Sequence, residues 1–196
     1  MAEIRKVGLV GAGVIGAGWA ARLLHRGIDV TATDPSDNAE VRLRAAIDNA
    51  QPALAKLAPA SPTGSSRLTF TADLNAAVAD ADFIQESVPE RMDLKRELLQ
   101  RVSRLARPDV VIASSSSGLL PSQLQEDCSN PARILVGHPF NPVYLLPLVE
   151  IVGGEQTSEH TVAAAEAFYS SIGMRPLHVR NEIEGYISDR LQEALW

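Results

Sequence analysis

Cysteine is almost absent from this chain, with Cys128 its one example. No intrachain disulfide can form, and so sparing a use of thiols fits a reducing compartment. Cys128 lies in a polar stretch, QEDCSN, with no basic residue beside it to lower its pKa, so it reads as inert. Also lacking is any apolar run of the roughly 18 residues that a membrane-spanning helix requires. The opening MAEIRKVGLV has neither the apolar core nor the cleavage site of a signal peptide. A cytoplasmic protein is the expectation. There is no basic block either. Lys and Arg number 18 against 24 Asp and Glu, a net charge of −6, which argues against nucleic acid and membrane surfaces as partners. No internal repeat is visible, and no metal site is expected.

What is present is an ordinary globular composition, 45% hydrophobic and 21% charged over 196 residues, enough for one domain or slightly more. The chain is organised around GLVGAGVIGAG, residues 8–18. Val7, Leu9 and Val10 make a short β-rich run, and a helical pattern follows from Val14 to His25. Between them Gly11, Gly13 and Gly16 form G-x-G-x-x-G. The first glycine permits the bend, the second lets the backbone approach a pyrophosphate, and the third lets helix and strand pack closely. The candidate cofactor-binding turn is thus Gly11, Ala12, Gly13, Val14, Ile15 and Gly16. A second strand, Ile28 to Thr33, ends at Asp34. An acid at this spacing suits ribose hydroxyls and repels a 2′-phosphate, and no basic residue follows before Arg42, so NAD is favoured over NADP.

Alternation continues along the chain. Helices are predicted over Asn38–Asn49 (fading by Pro59 after a kink at Pro52), Asp73–Val78, Arg91–Leu105, Pro121–Gln125 and Thr161–Ser171. Leu94, Leu98, Val102 and Leu105 should form the apolar face of the third of these. Strands are predicted over Leu68–Phe70, Asp82–Glu86, Val110–Ala113, Ile134–Val136, Leu148–Val152 and Arg175–Val179, and a loop over Ala60–Ser66. This order argues for an α/β fold, a doubly wound, mostly parallel Rossmann-type sheet. The final GYISDRLQEALW reads as an amphipathic helix with no stop signal, as if a further domain began there.

In such sheets ligands sit beyond the carboxyl ends of the strands. Asp34, Glu86 and Glu90, the serines Ser114 to Ser117, and His138 to Asn141 all fall at such ends. Histidine is suited to take a proton from an alcohol near neutral pH. Glu150 lies inside an apolar run, LLPLVEIV, where an acid is not buried unless paired. Pairing it with His138 would orient the ring and stabilise its charged form. One of the four serines can hydrogen-bond a substrate alcohol, but chemistry alone does not rank them. Trp19, Phe140, Tyr144, Tyr186 and Trp196 read as core.

These segments together resemble the L-3-hydroxyacyl-CoA dehydrogenase family. The resemblance rests on G-x-G-x-x-G, Asp34, ESVPE, ASSSSGL, HPFNP with its downstream glutamate, and GYISDRL. It implies His138 as catalytic base, Glu150 as its partner and Ser117 as the substrate-binding serine. Asn141 should contact cofactor or substrate, and Glu90 and Lys95 the cofactor, NAD. It further implies an NAD-binding domain over residues 1–183. Residues 184–196 would begin the first helix of an all-helical C-terminal domain that forms a homodimer.

Two features depart from the family pattern. Asp189 stands where the family has an asparagine, and residues 46–66 hold one basic residue, Lys56, where CoA esters need several. The segments GHPFNPVYLLPLVEIVGG and SSSSGLLPS are more similar to members acting on a small 3-hydroxy acid with a quaternary ammonium, L-carnitine. Asp189, with Phe140 or Tyr144, would suit that cation. A 3-hydroxyacyl-CoA or L-gulonate-type substrate, or NAD binding without catalysis, are the alternatives.

Overall fold

Runs of four to six residues such as KVGLV and VIAS are too short for helices and apolar enough for strands covered on both faces. They pair into one sheet. In chain order the strands are β1 (Lys6–Val10), β2 (Asp29–Thr33), β3 (Leu68–Phe70) and β4 (Phe83–Glu86), then β5 (Val111–Ser114), β6 (Ile134–Pro139), β7 (Leu148–Gly153) and β8 (Arg175–Val179). The computed structural model describes residues 3–57 and 66–196. The loop expected at 60–66 lies outside the described residues except for Ser66.

The strand order is β3-β2-β1-β4-β5-β6-β7-β8. The first six run parallel in the order of a Rossmann sheet, which binds dinucleotides where the order reverses, here between β1 and β4. β7 then turns back antiparallel to β6, and β8 runs parallel to β7. Helices α1 (Val14–His25), α2 (Ala39–Leu57) and α6 (Glu159–Ser171) cover one face. The other carries α3 (Leu74–Val78), α4 (Met92–Leu105) and α5 (Pro121–Leu124). α7 (Ser188–Leu195) follows β8.

α2 runs through Pro52 and on to Leu57, held by Leu43, Ile47, Ala50 and Leu54 at helical spacing. The α4 prediction had the helix right and its apolar face in part, since Val102 is buried and Leu98 packs against the core. Its buried side is Lys95, Leu99, Val102 and Ser103, and Leu105 is exposed. Leu94 and Leu98 face the cavity described below. Burial of a lysine in place of a leucine is what displaced the expected stripe. Trp19 and Tyr186 are core as expected, Phe140 and Tyr144 are half-buried, and Trp196 is exposed. Cys128 is buried, and burial raises its thiol pKa even though the fold brings Arg133 and Arg104 near.

The centre of the sheet carries buried polar groups, Gln85 among them. Gln85 in β4 accepts from Tyr169 Oη at 2.7 Å and donates to Ser115 Oγ at 2.8 Å. Tyr169 reaches that position because residue 137 has no side chain. A Cβ on Gly137 would lie 2.1 Å from the tyrosine oxygen. Gly137→Ala is therefore expected to destabilise the fold by about 1–3 kcal/mol through overpacking. Urea unfolding of Gly137→Ala with and without Tyr169→Phe checks this, since the double variant should lose less than the sum of the singles.

Candidate functional site

β1 delivers the chain into the glycine turn, and α1 leads out of it. Gly11 has φ of 97°, a conformation that costs a residue with a side chain. A Cβ on Gly16 would meet the Gly11 carbonyl oxygen at 2.0 Å, whereas one on Gly13 would meet nothing within 4 Å. So Gly16 is needed for packing, and Gly13 leaves open space in front of α1. That helix has no side-chain cap and no acid in its first turn. Its first N–H groups and its positive dipole end are left to an external anion. On the far side of the turn, Asp34 accepts from the Ala12 N–H at 2.8 Å and from Ser36. Burial would raise its pKa, but these hydrogen bonds outweigh it and hold the carboxylate ionised. Arg42, eight residues on, is brought back by α2 to donate to Ser36 Oγ at 3.1 Å.

A cavity of about 930 Å³ runs from this turn to His138. Its lining includes Gly11, Gly13, Val14 and Ile15 of the turn and α1, Asp34 after β2, Leu94 and Leu98 of α4, and Glu90, Ser117 and His138.

The strand expected over Ile134–Val136 is longer and includes the histidine. β6 continues through Pro139, and His138 is its fifth residue. The antiparallel register sets it directly opposite Glu150 of β7. His138 Nδ1 and Glu150 Oε2 are 2.9 Å apart, with the carboxylate only 1% exposed. Glu150 Oε1 accepts from the N–H groups of Ile187 and Ser188 at 3.1 and 3.0 Å, and Oε2 also accepts from Ser188 Oγ at 2.8 Å. Burial works to raise the Glu150 pKa, and the donors His138 and Ser188 more than reverse it. An ionised carboxylate thus fixes Nδ1 and leaves Nε2 as the ring's free nitrogen.

The serine run becomes ordered by its partners. Ser114 Oγ donates to Glu86, and Ser116 Oγ to Glu90. Ser115 Oγ is shared among Trp19, Gln85 and Ser87. Among the described residues, only the Ser117 hydroxyl of the four has no protein partner, and Ser117 lines the same cavity as His138.

Residues 6–183 match the family described as 3-hydroxyacyl-CoA dehydrogenase, NAD binding domain. The chain belongs to this family. Among its relatives, L-carnitine dehydrogenase of Pseudomonas aeruginosa is 58% identical over 99% of this chain and 60% of its own length. The enzyme of that name from Bacillus cereus is 56% identical over the same shares. The chain thus spans about 60% of the length of these curated relatives. A crystal structure of 5-formyl-3-hydroxy-2-methylpyridine 4-carboxylic acid 5-dehydrogenase superposes with TM-score 0.92. It is 32% identical and covered over 98% of this chain and 63% of its own. That of (S)-3-hydroxybutyryl-CoA dehydrogenase from Ralstonia eutropha gives 0.86 at 30% identity, over 99% and 74%.

The glycine turn of this 3-hydroxyacyl-CoA dehydrogenase family member has the features that suit NAD. Space at Gly13, an uncapped helix end and an ionised Asp34 are the three requirements of a pyrophosphate next to a ribose diol. Other expected site residues are placed differently. Ala12 is buried behind the turn and offers its N–H to Asp34 rather than to the cavity. Lys95, expected against the cofactor, is 1% exposed. Its ammonium bonds Glu86 at 2.7 Å and the Val88 carbonyl at 3.1 Å and stands 3.5 Å from Glu90. It lies beneath the site, and Glu90 reaches up from it to hold the N–H groups of Ser117 and Gly118 at 2.9 and 3.2 Å. Asn141, exposed after β6, and Asp189, half-buried in the first turn of α7, do not wall the cavity.

Sequence reasoning missed Ser188 and Arg22, and held Ser116 only as one of four unranked serines. Arg22 of α1 is buried and donates to the carbonyls of Val143, Tyr144 and Leu146 after the HPFNP segment. An arginine on an otherwise apolar helix, VIGAGWAARLLH, was the available signal.

Two outcomes follow from this geometry. Gly13→Ala should melt like the parent but bind NAD at least about tenfold more weakly, a loss of about 1.4 kcal/mol, whereas Gly16→Ala should lower the melting temperature as well. Lys95→Met leaves Glu86 buried without its cation and should cost about 3–5 kcal/mol, read by denaturant unfolding.

Proposed function

We propose that this chain carries the NAD-binding and proton-transfer residues of an L-carnitine 3-dehydrogenase, oxidising the 3-hydroxyl to the ketone, 3-dehydrocarnitine. The observation that carries the reading is the His138–Glu150 pair at the end of the cavity that begins at the glycine turn. The 51–58% identity to several L-carnitine dehydrogenases supports the substrate, as does the single lysine in residues 46–66, a poor complement to a CoA polyphosphate.

NAD held at the glycine turn and Asp34 would supply the hydride acceptor for the oxidation. His138 takes the hydroxyl proton at Nε2, because Nδ1 is occupied by Glu150. The imidazolium that results is stabilised by a carboxylate already ionised and held in place by four hydrogen bonds. Ser117, whose hydroxyl is uncommitted, donates to the substrate oxygen and orients it toward the histidine. Glu90 fixes the Ser117 backbone, and Lys95 fixes Glu90. Val14, Leu94 and Leu98 supply apolar walls. In this proposal the NAD-binding domain ends at Ile183, where the family match ends. The segment from Glu184 leads into a helical domain through which the cytoplasmic enzyme forms a homodimer.

NADH formation from L-carnitine, against 3-hydroxybutyryl-CoA and L-gulonate, tests the substrate; preference for either of the latter would replace it. His138→Ala should bind NAD nearly as the parent does and turn over roughly 10² to 10⁴ times more slowly. Turnover near the parent's would remove His138 from the role of base.

A further inference from the structure

The oxygen of Glu150 that meets His138 is not reserved for it. Oε2 accepts both from His138 Nδ1 at 2.9 Å and from Ser188 Oγ at 2.8 Å, while Oε1 takes the N–H groups of Ile187 and Ser188. An ionised carboxylate has about four acceptor sites, and here all four are filled. Three of the donors belong to the start of α7, and one belongs to the histidine. We propose that Ser188 is a positioning residue that sets the basicity of His138 through Glu150. The proposal rests on reading His138 as the base.

The direction follows from where the carboxylate's charge is spent. Each donor on Oε2 stabilises the anion and lessens the pull left for the imidazolium. The Ser188 hydroxyl therefore competes with the ring for the same carboxylate oxygen. The backbone donors and the helix end behind them act in the same sense. The rest of the surroundings do not supply an alternative control. On β8 the residue in register with Glu150 is Leu177, which carries no charge. Tyr186 is neutral, because burial pushes its hydroxyl pKa far above the usual phenol range, and it bonds the Leu119 carbonyl. Asp189 and Glu90 are the remaining acids close enough to act on Tyr186, and neither bonds His138 or Glu150. Phe140 and Tyr186 flank the imidazole with ring centroids 5.1 and 5.7 Å away. Among the described residues, the one side-chain hydroxyl bonded to the pair is that of Ser188.

The test is an NMR titration of the His138 ring in the protein, beside the pH dependence of kcat/KM. Ser188→Ala should raise the histidine pKa by about 0.5 unit, a share of the carboxylate's hydrogen bonding, and move the acid limb of kcat/KM upward by the same amount. Ser188→Thr keeps the hydroxyl and should titrate like the parent. Ser188→Cys, a weaker donor, should fall between them and serves if the alanine variant does not fold. A histidine pKa unchanged in Ser188→Ala and Ser188→Cys, or shifted equally in Ser188→Thr, would overturn the proposal. If the NMR shift appears while kcat/KM ignores both Ser188 and His138 variants, the inference about Ser188 stands and the reading of His138 as base fails.

Discussion

The reversal of direction between β6 and β7 is the constraint on which the site depends. In a sheet that stayed parallel, residues at the carboxyl end of one strand would meet the carboxyl end of the next only after a long crossover. By turning back within nine residues, from Pro139 to Leu148, the chain sets the start of β7 against the end of β6. His138 and Glu150 thereby become direct neighbours, fixed by backbone register rather than by side-chain reach. Register also makes the arrangement intolerant of slippage, since a shift of one residue would send Glu150 to the opposite face.

Around that pair the protein accepts an unusual load of buried polarity, and each group is matched. Glu86 is fully buried but receives Lys95, Ser114 and the Val88 N–H. Gln85 is satisfied by Tyr169 and Ser115. An unpaired charge in this setting would be far more costly than the pairs are stabilising. The polar network therefore specifies where the β4 end and the serine loop must lie more than it adds to overall stability. That is why Ser117 can carry a hydroxyl with nothing of the protein bound to it, since its backbone is already held from below.

Much of this was legible from the amino-acid order. The strand–helix alternation, the glycine turn and Asp34 follow from local rules whose reach is a few residues. The pairing of His138 with Glu150 could be read because an acid in an apolar run needs a partner. What was not legible depends on rotation or on distance along the chain. The burial of Lys95 turned α4 away from its leucine stripe, and no periodicity count anticipates a core lysine. The ranking of the four serines required knowing that Glu86 and Glu90 stand beneath them. Ser188 lies 38 residues from Glu150, and nothing in its own neighbourhood marks it.

The buried Arg22 has a mechanical consequence. α1 begins at the open space beside Gly13 and, two turns later, grips three carbonyls of the segment that follows Asn141 and Pro142. The helix is thus a rigid strut with the dinucleotide end at one extremity and the segment after β6 bolted partway along it. The same helix that turns its free N-terminal N–H groups toward the dinucleotide site also anchors the chain between β6 and β7, the connection that lets Glu150 return to His138.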